Sequence, residues 1–188
     1  MRAESPASVP RRERLRLFIA LPLPAPALTA LERWQGEALV SAEYARVVPR
    51  GNLHVTVAFL GGRPADDVAP IVEAMRDCAA RANPPVLTPS RYRETRSVGM
   101  VVLEDEAGRA ARLAGKLFRR LERLGVYERE RRPWLPHVTV LRFRERPRLD
   151  VEPPALGPVS PSEVALYHSV LRRDGAQYEI VESVALGG

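Results

Sequence analysis

Apolar and polar residues alternate from the first readable stretch of the chain. Leu15, Leu17, Ile19 and Leu21 interleave with Arg16, Phe18 and Ala20 up to Pro22. A period of two is that of a strand, and proline, which cannot donate to a ladder, closes it. The period then changes. Leu28, Leu31, Gln35, Ala38 and Leu39 recur at threes and fours, with Pro26 suited to a first turn, and predict an amphipathic helix to about Ala42. Pro49-Arg50-Gly51-Asn52 reads as a turn before a strand over 53–60, which Gly61-Gly62-Arg63-Pro64 ends. Asp66 or Asp67 can cap a second helix, marked by Val68, Ile71, Val72, Met75 and Ala79 and ended by Asn83-Pro84-Pro85.

Further along, strands over 86–93 and 97–103 flank the turn-prone Glu94-Thr95-Arg96. Leu113, Leu117, Leu121 and Leu124 predict a helix within 106–124, and Gly125 stands where a C-terminal cap glycine belongs. Trp134-Leu135-Pro136 introduces another strand. The segments 164–171 and 177–184 form a last hairpin around Arg172-Arg173-Asp174-Gly175, in which Asp-Gly favours a tight turn. Strand, helix, strand, helix in the first half and a similar alternation in the second predict an internal duplication. Residues 1–13 are polar and charged without periodicity and read as a disordered leader, leaving 14–188 as one domain or two fused lobes.

Two of those strands carry the same tetrapeptide, His54-Val55-Thr56-Val57 and His137-Val138-Thr139-Val140, 83 residues apart. Two of the chain's three histidines are spent on it. In a strand the His and Thr of each copy share a face about 6.8 Å apart, while the valines enter the core, so an imidazole and a hydroxyl can reach one small anion. Imidazoles titrate near neutrality and supply both a proton acceptor and a proton donor, which is what phosphodiester cleavage needs. Threonine hydroxyls can hold the non-bridging oxygens. One such tetrapeptide would read as a satisfied strand histidine; two in corresponding places read as a site.

Composition adds modest constraints. The net charge is +6, and the 29 basic residues are 28 arginines and Lys116. Arginine forks bind phosphate, yet acidic residues are interspersed with them, and arginine excess also follows from genomic base composition. One cysteine, Cys78, excludes an intramolecular disulfide and a multi-thiolate zinc site, which points to a reducing cytoplasm. Arg11-Arg12-Glu13-Arg14 before an apolar run resembles an export signal, but Pro22, Pro24 and Pro26 interrupt that run, and it is too short to span a bilayer. No His-x-His or His-x-x-x-His spacing accompanies either tetrapeptide, and His168, on an expected strand, takes a structural or cleft-edge role.

The paired His-x-Thr-x motifs resemble the two-histidine phosphoesterase superfamily, and the flanks resemble its RNA 2′,3′-cyclic phosphodiesterase branch, also called 2′-5′ RNA ligase-like. Arg16-Leu17-Phe18-Ile19-Ala20 is similar to the opening strand of that family, Asn52 through Gly61 to its first motif, and Pro136-His137-Val138-Thr139-Val140-Leu141-Arg142 to its second. Leu166, Ser169, Gly175 and Tyr178 fit its closing hairpin. The resemblance runs from about Leu15 to Val184. It implies a bilobal α+β fold over 14–188, two pseudo-symmetric lobes whose antiparallel sheets line a central cleft with helices outside.

The resemblance also implies hydrolysis of RNA 2′,3′-cyclic phosphate ends to 2′-phosphate ends, with no metal or cofactor. His137 is then the proton acceptor that activates water, His54 the proton donor to the leaving oxygen, and Thr56 and Thr139 hold the phosphate. The reverse reaction would be a 2′-5′ RNA ligase. The expected partners are RNAs with cyclic ends, tRNA fragments among them, for a cytoplasmic monomer with no membrane association. Alternatives are a phosphodiesterase for small cyclic nucleotides or ADP-ribose cyclic phosphate, and a non-catalytic RNA-binding protein. Arg142 fits a phosphate contact by family position, although strict alternation puts it opposite His137 unless a bulge or strand end turns it. Phe59 is its apolar counterpart in the first half, also toward substrate. Arg132 and Trp134, with Arg129 and Arg131, form a loop that can hold RNA and stack a base or is merely solvated.

Overall fold

A computed structural model of the chain describes residues 14–42, 44–172 and 175–187. The expected leader and the Arg173-Asp174 corner of the last hairpin lie outside the described residues. In chain order the elements are β1 (Arg14–Pro22), α1 (Ala25–Ala38), β2 (Arg46–Val47), β3 (His54–Pro64), α2 (Val68–Ala79), β4 (Val86–Glu94), β5 (Val98–Glu106), α3 (Arg109–Arg123), β6 (His137–Arg142), β7 (Glu163–Arg172) and β8 (Gly175–Ala185). One-turn 3-10 segments at Arg50–Asn52 and Ala65–Asp67 precede β3 and α2.

The strands form one antiparallel sheet in the order β4-β5-β6-β3-β1-β7-β8, with β2 on the far end of β6. The expected pair of lobes is therefore a single curled sheet whose halves meet at β6 and β3. That junction is short: Val55↔Val138 is the register pair between the motif strands, whereas β1 pairs with β3 along its whole length. The order is symmetric about the junction. β1-α1-β3 and β5-α3-β6 are each strand, helix, antiparallel strand, and each following strand crosses to the other half, β4 onto β5 and β7 onto β1. The expected alternation stops there, because residues 143–162 contain no helix and α2 has no counterpart.

Helices α2 and α3 pack on each other and on the convex face of the sheet. Their stripes, Ile71, Met75 and Cys78 on α2 and Leu113, Leu117 and Leu121 on α3, are buried with Ile19, Val55 and Leu166 of the strands. Each large apolar side chain withdrawn from water stabilises the fold by roughly 1.5–3 kcal/mol. Helix α3 ends as its sequence predicts. Gly125 takes φ 68, and the Gly125 and Val126 amides donate to the carbonyls of Glu122 and Leu121, closing the last turn. Its other end starts later than expected, since β5 runs on to Glu106; the Asp105 carboxylate then accepts the Ala110 and Ala111 amides at 3.0 and 2.7 Å.

Other expectations are corrected. β3 does not stop at Gly61-Gly62. Gly61, at φ 72, absorbs a register shift that a residue with a Cβ would resist, and the strand goes on pairing with Arg14–Leu17. Asp67 stands at the start of α2 without a side-chain cap bond. Helix α1 ends at Ala38 rather than near Ala42. Among the described residues no helix is long and apolar enough to cross a membrane.

Candidate active site

Antiparallel register about Val55↔Val138 sets His54 across from Thr139 and Thr56 across from His137. Val55 and Val138 are fully buried, so all four polar side chains fall on the concave face. There His54, Thr56, His137 and Thr139 line one cleft of about 450 Å³. Arg16, Arg46 and Arg142 line it too, and among the described residues no carboxylate does.

Arg142 reaches the cleft because β6 carries a bulge. Gly99 is opposite Leu141 and Met100 opposite Thr139, so Val140 is the extra residue; Val140 and Leu141 both face the core and Arg142 returns to the face of His137. The first motif strand is built the same way. Ile19 is opposite Ala58 and Ala20 opposite Thr56, so Val57 is extra and Phe59 turns back to the cleft, 65% exposed. The bulge in β6 is held from behind. The Val140 carbonyl accepts the Gln35 amide at 2.9 Å and the Val48 N–H at 3.0 Å, and Gln35 also donates to the Val48 carbonyl at 3.0 Å. Gln35, read from the sequence as one position of a helix stripe, is a buried polar side chain that fastens α1 to the bulge.

The two histidines sit in different surroundings. His137 Nδ1 lies 2.8 Å from the Leu135 carbonyl, which accepts its proton in the neutral tautomer and leaves Nε2 free toward the cleft. His54 Nε2 lies 3.1 Å from Thr56 Oγ1, and its ring also bonds the Asn52 backbone, two residues upstream like Leu135. Around His54 stand Phe18, Tyr178 and Tyr167, with ring centroids 5.0, 5.5 and 5.8 Å away. No comparable ring contact involves His137 among the described residues. Burial in that cluster, then the Arg142 guanidinium, disfavour charge on His54; the Asn52 bond favours it and His137 disfavours it, and the net pKa is lowered to about 4.

Other expected site residues fall elsewhere. Trp134 is half-buried, absent from the cleft lining, and its indole donates to the Thr56 carbonyl at 3.0 Å, so it supports the first motif strand from beside its bulge instead of presenting a face to a base. Arg132 is exposed outside the cleft. Arg129 pairs with Glu122 at 3.1 Å and lies over the Phe118 ring. His168, on β7 opposite Leu17 and Glu179, does not line the cleft. Among the described residues no group of three or more His, Cys, Asp or Glu side chains could hold a metal ion.

Sequence reading missed Arg46 and Tyr178 as cleft residues and Phe18 as the ring against His54. The signals were weak. Arg46 precedes an apolar pair in a short strand, and Phe18 looked like the outward position of an alternating one. Asn52, quoted only as part of a motif, donates through Nδ2 to the Ala176 carbonyl at 2.9 Å and ties the approach to β3 to the last hairpin.

A fold with twin His-x-Thr strands in an arginine-lined cleft resembles that expected of a two-histidine phosphoesterase, and comparison with known proteins finds the same likeness. Residues 21–93 match the LigT like phosphoesterase family. An RNA 2′,3′-cyclic phosphodiesterase of Geobacillus stearothermophilus is 29% identical over 94% of this chain, which spans 59% of that protein's length. One of Escherichia coli (strain K12) is 28% identical over 93% of this chain and 98% of its own. The crystal structure of E. coli LigT complexed with 3′-AMP superposes with a TM-score of 0.83 at 26% identity, covering 94% of this chain and all of the other. A Thermus thermophilus protein superposes with a TM-score of 0.79 at 28% identity, covering 93% and 99%. The chain is thus similar to LigT-like phosphoesterases in sequence over residues 21–93 and in fold over most of its length.

Proposed function

We propose that the protein opens 2′,3′-cyclic phosphates at RNA ends by acid–base catalysis with His54 and His137. The observation that carries this is the meeting of two His-x-Thr pairs on neighbouring strands at one arginine-lined cleft without carboxylates. The names of the relatives support the substrate class. His137 Nε2 takes a proton from water as the oxygen attacks phosphorus. The bond to the 3′ oxygen breaks and His54 gives its proton to that oxygen, leaving a 2′-phosphate and a 3′-hydroxyl. Thr56 and Thr139 donate to the non-bridging oxygens, and Arg142 faces the charge that both states carry.

A donor must first be protonated, and His54 in the free enzyme is neutral at pH 7. The substrate supplies the remedy. Burial holds the His54 pKa down most, and a phosphate anion between the motifs offsets the next cause, the Arg142 field, and raises the proton affinity of His54. Both protons are handled by imidazoles, and the step calls for no metal. With a 5′-hydroxyl in place of water as the nucleophile, the same step would join a cyclic end to that oxygen as a 2′-5′ linkage and leave a 3′-hydroxyl.

The test is product analysis on an end-labelled RNA bearing a 2′,3′-cyclic phosphate, in EDTA. A 2′-phosphate is expected. A 3′-phosphate would reverse the leaving oxygen, and no opening of any cyclic end would leave a binding protein.

A further inference from the structure

We propose that Trp134 is a positioning residue that fixes where His137 stands relative to the first motif, by tying the approach to β6 onto the backbone of Thr56. The inference rests on the two-histidine reading of the same cleft. Register pairing between the motif strands is confined to Val55↔Val138. Pro136, just ahead of His137, has no N–H with which to extend that ladder, and its carbonyl is turned to β5, where it accepts the Leu103 amide at 3.0 Å. Residues 124–136, between α3 and His137, form no helix or strand. A histidine that ends such a segment is placed by whatever the segment is fastened to.

Trp134 supplies that fastening. Its indole Nε1–H donates to the Thr56 carbonyl at 3.0 Å, and its half-buried ring packs on the core. One residue on, the Leu135 carbonyl takes the His137 Nδ1 proton at 2.8 Å in the neutral tautomer. Trp134 therefore holds the peptide that holds the imidazole. The far end of the bond matters as much, because Thr56 Oγ1 lies 3.1 Å from His54 Nε2. A single indole bond thus connects both His-x-Thr pairs through the backbone that supports them, while Gln35 secures the other end of β6 at the Val140 carbonyl. Trp134 does not itself line the cleft, so it acts through Leu135 and His137 and not through substrate.

The experiment removes the donor and keeps a ring. Trp134→Phe is compared with Trp34→Phe, which loses an indole bond of the same kind, to the Glu152 carbonyl at 2.9 Å, outside the cleft lining. Both variants are expected to lower Tm by about 2–4 °C, as for one hydrogen bond in a chain of this size. On an RNA with a 2′,3′-cyclic end, Trp134→Phe alone is expected to lower kcat, by about tenfold with KM held within about twofold, because a misplaced imidazole costs rate rather than binding. The 15N ring shifts of its His137, recorded at alkaline pH, should move from those of a single Nδ1–H tautomer toward the average of two. An unchanged kcat, an equal fall in Trp34→Phe, or His137 ring shifts like those of the wild type would overturn the inference. If the wild type turns over no cyclic end, the catalytic reading fails and the ring shifts alone decide: moved in Trp134→Phe they uphold the positioning role, and unmoved they end it. Benzothienylalanine at position 134, which exchanges only the indole N–H for sulfur, gives the same readouts should Trp134→Phe not fold.

Discussion

Strands β3 and β6 share a tetrapeptide, a bulge at the same offset and a backbone anchor for the histidine two residues upstream, yet they present different chemistry. The five-residue step from His54 leads to Phe59, and the same step from His137 leads to Arg142. His54 leans on Phe18, Tyr167 and Tyr178, while the guanidinium that lowers its proton affinity belongs to the other strand. Backbone symmetry therefore places four polar groups in one cleft, and side-chain asymmetry lowers the proton affinity of His54. A duplicated scaffold separates positioning from proton affinity.

The strongest way to break the comparison is to remove either imidazole. His54→Asn and His137→Asn are each expected to lower kcat on a cyclic-ended RNA by about 10³-fold, and a residual rate within tenfold of wild type in either would exclude two-histidine catalysis. The two variants should part company in stability. The unfolded chain takes up a proton at His54 near 6.5, but the folded protein does so only near 4, so the unfolded state binds more protons between those values. The stabilisation from neutral, buried His54 is whole above pH 6.5 and is lost as pH falls toward 4, amounting to on the order of 3 kcal/mol. His54→Asn should flatten that part of the denaturation profile and His137→Asn should keep it.

Next in size is Arg142→Phe, which makes β6 resemble β3. It should lower kcat/KM about 10²-fold and raise the His54 pKa, read by NMR titration, because a nearby cation is gone. An unmoved His54 titration would disconnect the halves. The smallest effect belongs to Gln35→Leu, which strips the Val140 bulge of one donor and leaves the Val48 carbonyl wanting a partner. Stability should fall by about 1–3 kcal/mol and kcat/KM by about tenfold, with the His54 pKa rising as Arg142 loses its aim. Lower stability with an unchanged titration would reduce Gln35 to a structural tie.

Much of this was legible in the residues. Apolar spacing placed the start of α2 at Val68, although the helix ends at Ala79, before Asn83-Pro84-Pro85, and the repeated motif marked the two strands that meet at the cleft. Alternation failed where the backbone departs from a strict period of two. It put Arg142 on the wrong face because a bulge leaves no mark in a run such as Val140-Leu141, and it ended β3 at Gly61, where glycine's left-handed conformation continues the strand. Tertiary partners were invisible for a related reason. Glu94, read as a turn residue, is buried at the end of β4 and accepts Leu149 N–H and Arg148 N–H at 2.9 and 3.0 Å and Arg146 Nε at 2.9 Å, binding a segment more than fifty residues away. Trp134 looked like a stacking platform until its indole proved to be engaged with Thr56. Neither partnership has a local sequence period to betray it.

The Val55↔Val138 junction is the shortest strand pairing of the sheet among the described residues. Nearly everywhere else neighbouring strands are fastened over many residues; here the two halves meet at one register pair, with the two imidazoles on opposite banks. A phosphate held between the two imidazoles would bridge both banks and stand in for the rungs that the backbone does not form there.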